Sequence, residues 1–307
     1  MELLIAIDGG GTRTRTVVFN REGQRLAEVE SGPSNHLTYN RREVRDNLQA
    51  GIVVALHKCG ARAEHVRLVA AGLAGVDFDG EGRQEALAIL DRAGYTNVIA
   101  LGDMVTAHYG ALGGEPGVLA LAGTGSVTLA RGMAGNWIKV DGWGYLLGDE
   151  GSAFWIGRQA LSSLCKVLDG RLENGPLTLA VSERLHLRSF AEVVAFTYGS
   201  GRIPPEIPTL SILVDEAAEA GDPLAKRILQ DAGEALAACT SAAARQAALG
   251  ANFRVSYAGA VLRGSRTVRQ AFRNALPEAT VTPPAHEPVV GAYILGCREL
   301  GWEPNLP

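Results

Sequence analysis

A run of apolar residues at 3–7 ends in Asp8 and then in Gly9, Gly10, Gly11 and Thr12, and a second strand-like run follows at 16–19. Five consecutive apolar residues suffice for a buried strand, and successive glycines let the chain reverse sharply, so the segment predicts strand, tight turn, strand. Without side chains on the turn, a ligand can approach the backbone closely, and successive N–H groups can form an anion-binding concavity. Asp8 would repel a phosphate unless a divalent cation lay between them, which points towards a metal–nucleotide site. The spacing fits neither a P-loop nor a dinucleotide fingerprint, both of which need a following helix. A structural glycine hairpin turn accounts for the same residues equally well.

The pattern recurs further along the chain. A third strand-like segment at 24–30 completes a meander after the first turn. A second apolar strand at 118–122 then runs into Gly123, Thr124, Gly125 and Ser126, followed by strand-like 127–130, a Gly132/Gly135 turn and a third strand at 137–140. An entire repeated meander is harder to ascribe to chance than a second glycine turn, and two such turns facing each other would grip a polyphosphate from both sides. Between the copies, Gly110, Gly113, Gly114, Pro116 and Gly117 mark a boundary. With 307 residues the chain exceeds a single hydrophobic core. We therefore expect a first domain over 1–115, completed by a C-terminal helix at 288–307, and a second over 116–287.

Composition narrows the functional class. The chain is 47% hydrophobic and 20% charged, with no uninterrupted apolar run long enough for a membrane span. No basic segment precedes the first apolar run, so a cytoplasmic location is expected. A net charge of −4 lacks the basic footprint of a nucleic-acid binder and favours small-molecule work. Cys59, Cys165, Cys239 and Cys297 are scattered, with no spacing suited to zinc or an iron–sulfur cluster.

Other segments supply candidate ligands. Strand-like 66–72, helical 81–93 and strand-like 97–101 alternate as in a parallel α/β sheet. The last strand runs into Gly102-Asp103. An acid past the C-terminal end of such a strand lies where open α/β sheets bind ligands, although Asp103 serves equally well as a cap for a helix at 104–112. Asn35, in a Gly-Pro-Ser-Asn-His loop, offers a donor and an acceptor to a polyhydroxylated ligand or simply forms a turn. The block 142–155 sets four glycines and two adjacent acids between aromatics, directly before a helix from about 152 to 168. Capping explains Asp149, Glu150 and Ser152, whereas the glycine density and Trp143 suit a sugar-facing loop. From 176 onwards the chain is mostly helical, with 201–208 the most loop-like segment. A short strand at 254–257 then enters Ala258-Gly259-Ala260-Val261, which opens a helix.

In order, Asp8-Gly-Gly-Gly-Thr12, Gly102-Asp103, Ala122-Gly-Thr-Gly-Ser126, Gly142-Trp-Gly144, Gly148-Asp-Glu-Gly-Ser152 and Gly259-Ala-Val261 resemble the BadF/BadG/BcrA/BcrD ATPase family, and within it N-acetylglucosamine kinases of the eukaryotic type. The resemblance runs end to end. It implies an α/β, two-domain actin-like ATPase fold, a duplicated ribonuclease H-like core with the active site in the interdomain cleft. It further implies ATP and Mg²⁺ as cofactors, a small sugar as substrate and a homodimer. Asp8, Gly9, Gly10, Gly11 and Thr12 would form the first phosphate loop, with Asp8 reaching Mg²⁺ through water. Gly123, Thr124 and Gly125 would form the second, and Gly259 and Ala260 would hold adenosine. Asn35, Asp103, Ser126, Val127, Gly142, Trp143, Gly144 and Asp149 fall at sugar-pocket positions, with Asp103 as the general base.

Two positions depart from the pattern. Val127 stands where the kinases have a sugar-contacting Asn, which leaves the acceptor sugar open. Ala260 replaces a frequent second glycine. The family's other role, activating a reductase or dehydratase through a cysteine-bridged cluster, finds no suitable cysteine pair here, and a nucleotide- and sugar-binding sensor is a third reading.

Overall fold

Strand β1 (Leu3–Gly9) is buried on both faces, with Leu3 to Ile7 wholly inaccessible to solvent. That is why it reads as an unbroken apolar run rather than an alternating one. β2 (Thr14–Asn20) pairs with it antiparallel, and β3 (Arg25–Ser31) continues the meander. The computed structural model describes residues 1–76, 80–92 and 94–306, apart from the Glu81 side chain, and divides into two units, Met1–Glu115 with Pro284–Pro307, and Pro116–Pro283.

In the first unit, α1 (Arg41–Lys58) begins at Asn40, whose side chain accepts from the Glu43 N–H, and buries Val44, Leu48, Ile52 and Leu56 at helical spacing. β4 (Val66–Leu73) lies parallel to β1, and β5 (Val98–Gly102) parallel to β4. α2 (Glu81–Arg92) and α3 (Asp103–Leu112) are the helices that precede and follow β5. The helix expected over 81–93 thus ends at Arg92, and Ala93 lies outside the described residues. The sheet order is β3-β2-β1-β4-β5.

The second unit repeats this plan. β6 (Gly117–Ala122), β7 (Ser126–Arg131) and β8 (Trp137–Asp141) form its meander. Then come α4 (Ala153–Leu168), α5 (Pro176–Leu185), α6 (Phe190–Tyr198), α7 (Glu206–Glu219) and α8 (Pro223–Gln246). β9 (Phe253–Ala258) pairs parallel with β6; α9 (Ala260–Gly264) and α10 (Arg266–Asn274) follow, and β10 (Ala279–Thr282) pairs parallel with β9. The order β10-β9-β6-β7-β8 is that of the first sheet, so the duplication extends past the meander to all five strands.

Three elements differ from the sequence expectation. α7 starts at Glu206, inside the segment read as a loop, because Pro208 falls in the first helical turn, where a missing N–H is tolerated. α10 and β10 went unread: α10 buries only Val268 and Phe272, and β10 is a four-residue strand with alternate residues exposed.

From Pro284 the chain rejoins the first unit, ahead of α11 (Pro288–Leu300), which packs on α3, β1 and β4. Gly291 makes the α11–α3 approach possible, since a Cβ there would collide with the Thr106 carbonyl oxygen. Among the described residues no helix is long and apolar enough to cross a membrane.

Candidate functional site

In the first unit the three parallel strands deliver their C-terminal ends side by side. Asp8 pairs with Gly72 of β4, Gly72 with Leu101 of β5, and Asp103 follows two residues later as the first residue of α3. Gly102 rather than Asp103 is the N-cap, and the Asp103 carboxylate accepts a 2.9 Å hydrogen bond from the Met104 N–H. Burial pushes the Asp103 carboxyl above the usual carboxylate range, and backbone hydrogen bonds hold it back. The Asp8 carboxyl is pushed up to about 6, first by burial and then by the Asp103 charge, with Arg15 opposing. Two half-buried carboxylates therefore lie close enough for the Asp103 charge to raise Asp8 against the pull of Arg15 and Arg13.

The glycine turn sits beside them. Gly10 N–H donates to Arg13 O at 2.9 Å, closing the turn, while Gly9 and Gly10 accept from Ala74 N–H (2.8 Å) and Ser34 N–H (3.1 Å). The N–H groups of Gly11 and Thr12 make no hydrogen bond among the described residues. Asn35 accepts from the Leu37 N–H at 3.0 Å, the turn-forming role, yet its amide also lies against Gly75, where a Cβ would be 2.7 Å from Oδ1. Gly75 is followed by Val76, whose carbonyl oxygen would be 2.5 Å from a Cβ on Gly102. Asn35, Gly102, Asp103 and Asp8 are thus brought together at one end of one sheet.

In the second unit, Gly123 N–H donates to Gly125 O at 2.9 Å, and the Gly123 and Thr124 carbonyls accept from Ala153 N–H (2.8 Å) and Phe154 N–H (3.1 Å). The turn is thereby anchored on the start of α4, and the Thr124 and Gly125 N–H groups make no hydrogen bond among the described residues. A cavity of about 410 Å³ opens here, lined by Gly123, Thr124, Ala260 and Val261 together with Ile212 and Asp215 of α7. Gly259, at φ 90°, starts this wall, and a Cβ on it would collide with the Ala122 carbonyl. The second turn and the Gly259-Ala260 turn, far apart in sequence, share one cavity. The α7 residues of that cavity were not anticipated, because they belong to an ordinary amphipathic pattern.

The glycine-rich loop after β8 is held by Asp141, which sequence reading passed over. Its carboxylate accepts from the Asp149 N–H (3.0 Å), the Glu150 N–H (3.1 Å) and the Ser126 hydroxyl (3.3 Å). The only signal was an acid ending a strand directly before Gly142. Asp149 lies against Gly125, where a Cβ would be 2.7 Å from Oδ2; burial raises its carboxyl, and the Ser126 and Gly144 backbones oppose that. Ser126, Val127, Gly142, Gly144 and Asp149 therefore surround one loop, and Trp143 stands 75% exposed on it, free to meet a ligand.

Two five-stranded sheets of the same order, each with a glycine-threonine turn after its first strand, define a two-unit ATPase of the actin-like fold. The model of the BadF/BadG/BcrA/BcrD ATPase family matches residues 5–296, and the chain belongs to that family. It is 33% identical over 241 residues, 77% of either chain, to an N-acetylmuramic acid/N-acetylglucosamine kinase of Clostridium acetobutylicum. A solved structure from Chromobacterium violaceum superposes with a TM-score of 0.73 at 30% identity, covering 96% of this chain and 98% of that one. A ROK family glucokinase from Streptomyces griseus, in complex with glucose and AMPPNP, gives 0.53 at 18% identity over 95% and 98%, a likeness of fold alone.

Proposed function

We propose that this protein is an ATP-dependent kinase of an amino sugar, N-acetylglucosamine or a related hexose, that phosphorylates the 6-hydroxyl with Asp103 as general base. The observation that carries this reading is Asp103 itself, a carboxylate made more basic by burial, at a strand end beside Asn35. The hydroxyl oxygen attacks the γ-phosphorus, its proton passes to the Asp103 carboxylate, the bond from the γ-phosphorus to the bridging oxygen breaks, and ADP leaves. Asn35, Ser126, Val127, Gly142 to Gly144 and Asp149 hold the sugar. Gly9 to Thr12 and Gly123 to Gly125 offer N–H groups to the phosphates, and Gly259 and Ala260 support the adenosine in the α7-lined cavity.

The Asp8 carboxylate suits Mg²⁺ held through water, since a cation beside it would offset the burial and the Asp103 charge that disfavour its ionised form. When bound, the ion screens phosphate charge. The two units are taken as the two domains, and the family likeness supports a homodimer working in the cytoplasm. The test is ADP release across a panel of hexoses and amino sugars. Release should depend on sugar, and Asp103→Ala should still bind ATP yet lose transfer by about 10²–10⁴-fold. Sugar-independent release at an unchanged rate in that variant would overturn the reading.

A further inference from the structure

The cavity of about 410 Å³ at the second turn has two unlike sides. Thr124, Ala260 and Val261 line one, and α7 lines the other with Ile212, Asp215, Glu216 and Glu219. These four fall at i, i+3, i+4 and i+7, so a single stripe of the helix faces the cavity. Three of the four are acids, and no lysine or arginine lines the cavity among the described residues. Asp215 is the acid that is held in place. The Ser265 hydroxyl donates to its Oδ1 at 2.6 Å, while the Ser265 oxygen accepts from the Val268 N–H at 3.3 Å as the cap of α10. Ser265 is buried and its proton is committed, whereas Asp215 Oδ2 makes no hydrogen bond or ion pair among the described residues.

A carboxylate only accepts hydrogen bonds, so it is met by a donor, and three carboxylates together repel phosphate. The free Thr124 and Gly125 N–H groups suit the phosphates of a nucleotide, and the apolar Val261 and Ile212 suit its flat base. The ribose, which joins the two, carries hydroxyl donors. Given the kinase reading above, we propose that Asp215, oriented by Ser265, accepts from the ribose hydroxyls and so selects ribonucleotides over their deoxy analogues. A ligand lacking the hydroxyl covers the carboxylate and gives it no donor, which costs more than an exposed acid would lose. Ser265 acts here as a positioning residue: it touches Asp215 and fixes where Oδ2 points.

Calorimetry in excess Mg²⁺ gives the Kd of the full chain for ADP, 2′-deoxyADP, 3′-deoxyADP and IDP, without sugar turnover. Wild-type protein should bind ADP about 10- to 100-fold more tightly than at least one deoxy analogue, the worth of one hydrogen bond to a charged acceptor. Asp215→Ala should erase that preference by weakening ADP, Asp215→Asn should keep a smaller part of it, and Ser265→Ala should shrink it. The ratio of two Kd values is insensitive to a fraction of unfolded variant, so a purely structural effect would leave it unchanged. Equal binding of ADP and both deoxy analogues by the wild type, or a preference that survives in Asp215→Ala, overturns the assignment and leaves the kinase reading standing. A gap between ADP and IDP that Asp215→Ala closes, with the deoxy analogues bound like ADP, gives the acid to the base and also overturns it. Failure to bind any of the four nucleotides overturns the kinase reading, and the assignment with it.

Discussion

Asp141 holds Asp149 by its backbone: the Asp149 N–H donates to Asp141 Oδ1 at 3.0 Å, and both residues adopt left-handed conformations, at φ 61° and 56°. The loop carrying Trp143 is therefore pinned at its end by an acid at its start. In Asp141→Asn the new amide cannot accept at both oxygens, while Asn still tolerates the left-handed backbone. We expect the KM for sugar to rise about tenfold or more and the KM for ATP to change little, a split that steady-state kinetics resolves. A parallel loss in both would place the effect in folding instead.

Asp8 should make the ligand-free protein's stability depend on pH in an unusual direction. Its folded pKa, about 6, lies above the unfolded value near 3.8, so its contribution is fully present below about pH 4 and is lost as pH rises through 6. Asp8→Asn removes this penalty. At pH 7.5 the variant should exceed the wild type by up to about 2–3 kcal/mol, before discount for partial solvation, and the gap should close by about pH 4. Urea unfolding at the two pH values measures it, and a gap that widens on acidification contradicts the assignment.

The basicity of Asp103 predicts the acid limb of the rate profile. A general base must be ionised, so kcat/KM should fall as pH drops through a pKa above that of an ordinary aspartate, which burial raises. A limb at or below about pH 4 would show a carboxylate unaffected by its surroundings.

Gly291 sets the distance between α11 and α3. Gly291→Ala forces a methyl group into the Thr106 carbonyl oxygen and the Gly110 nitrogen, both backbone atoms that cannot swing aside. Destabilisation of about 1–3 kcal/mol is expected in denaturant unfolding. Gly301→Ala, at φ 66° but with open space around it, should be milder, about 1 kcal/mol.

Much of this architecture could be read because its signals are local. Alternation of apolar runs with glycine turns located β1, β2, β6 and β7, and the repeated turn disclosed the duplication. What escaped depends on tertiary contact. α10 is stabilised by Val268 and Phe272 packing near Gly233 of α8, a relation invisible in a run of charged residues. Asp103 could be read equally as cap or base; the structure gives the cap position to Gly102 and makes Asp103 the first residue of α3, its carboxylate accepting from the Met104 N–H. Asp141 drew no notice since its partners are backbone N–H groups, which carry no residue identity.

α11 lies more than 170 residues after α3, its main packing partner, with the whole of Pro116–Pro283 made in between. A ribosome would thus release a contiguous second unit able to close on itself while the first still waits for its last helix. During that interval the α3 face around Gly110 and the Leu4–Ala70 surface, which α11 covers at Gly296, stand open. Synthesis order thus completes the unit begun earlier only after the later one is made, and loss of α11 would uncover the sheet that carries Asp8 and Asp103.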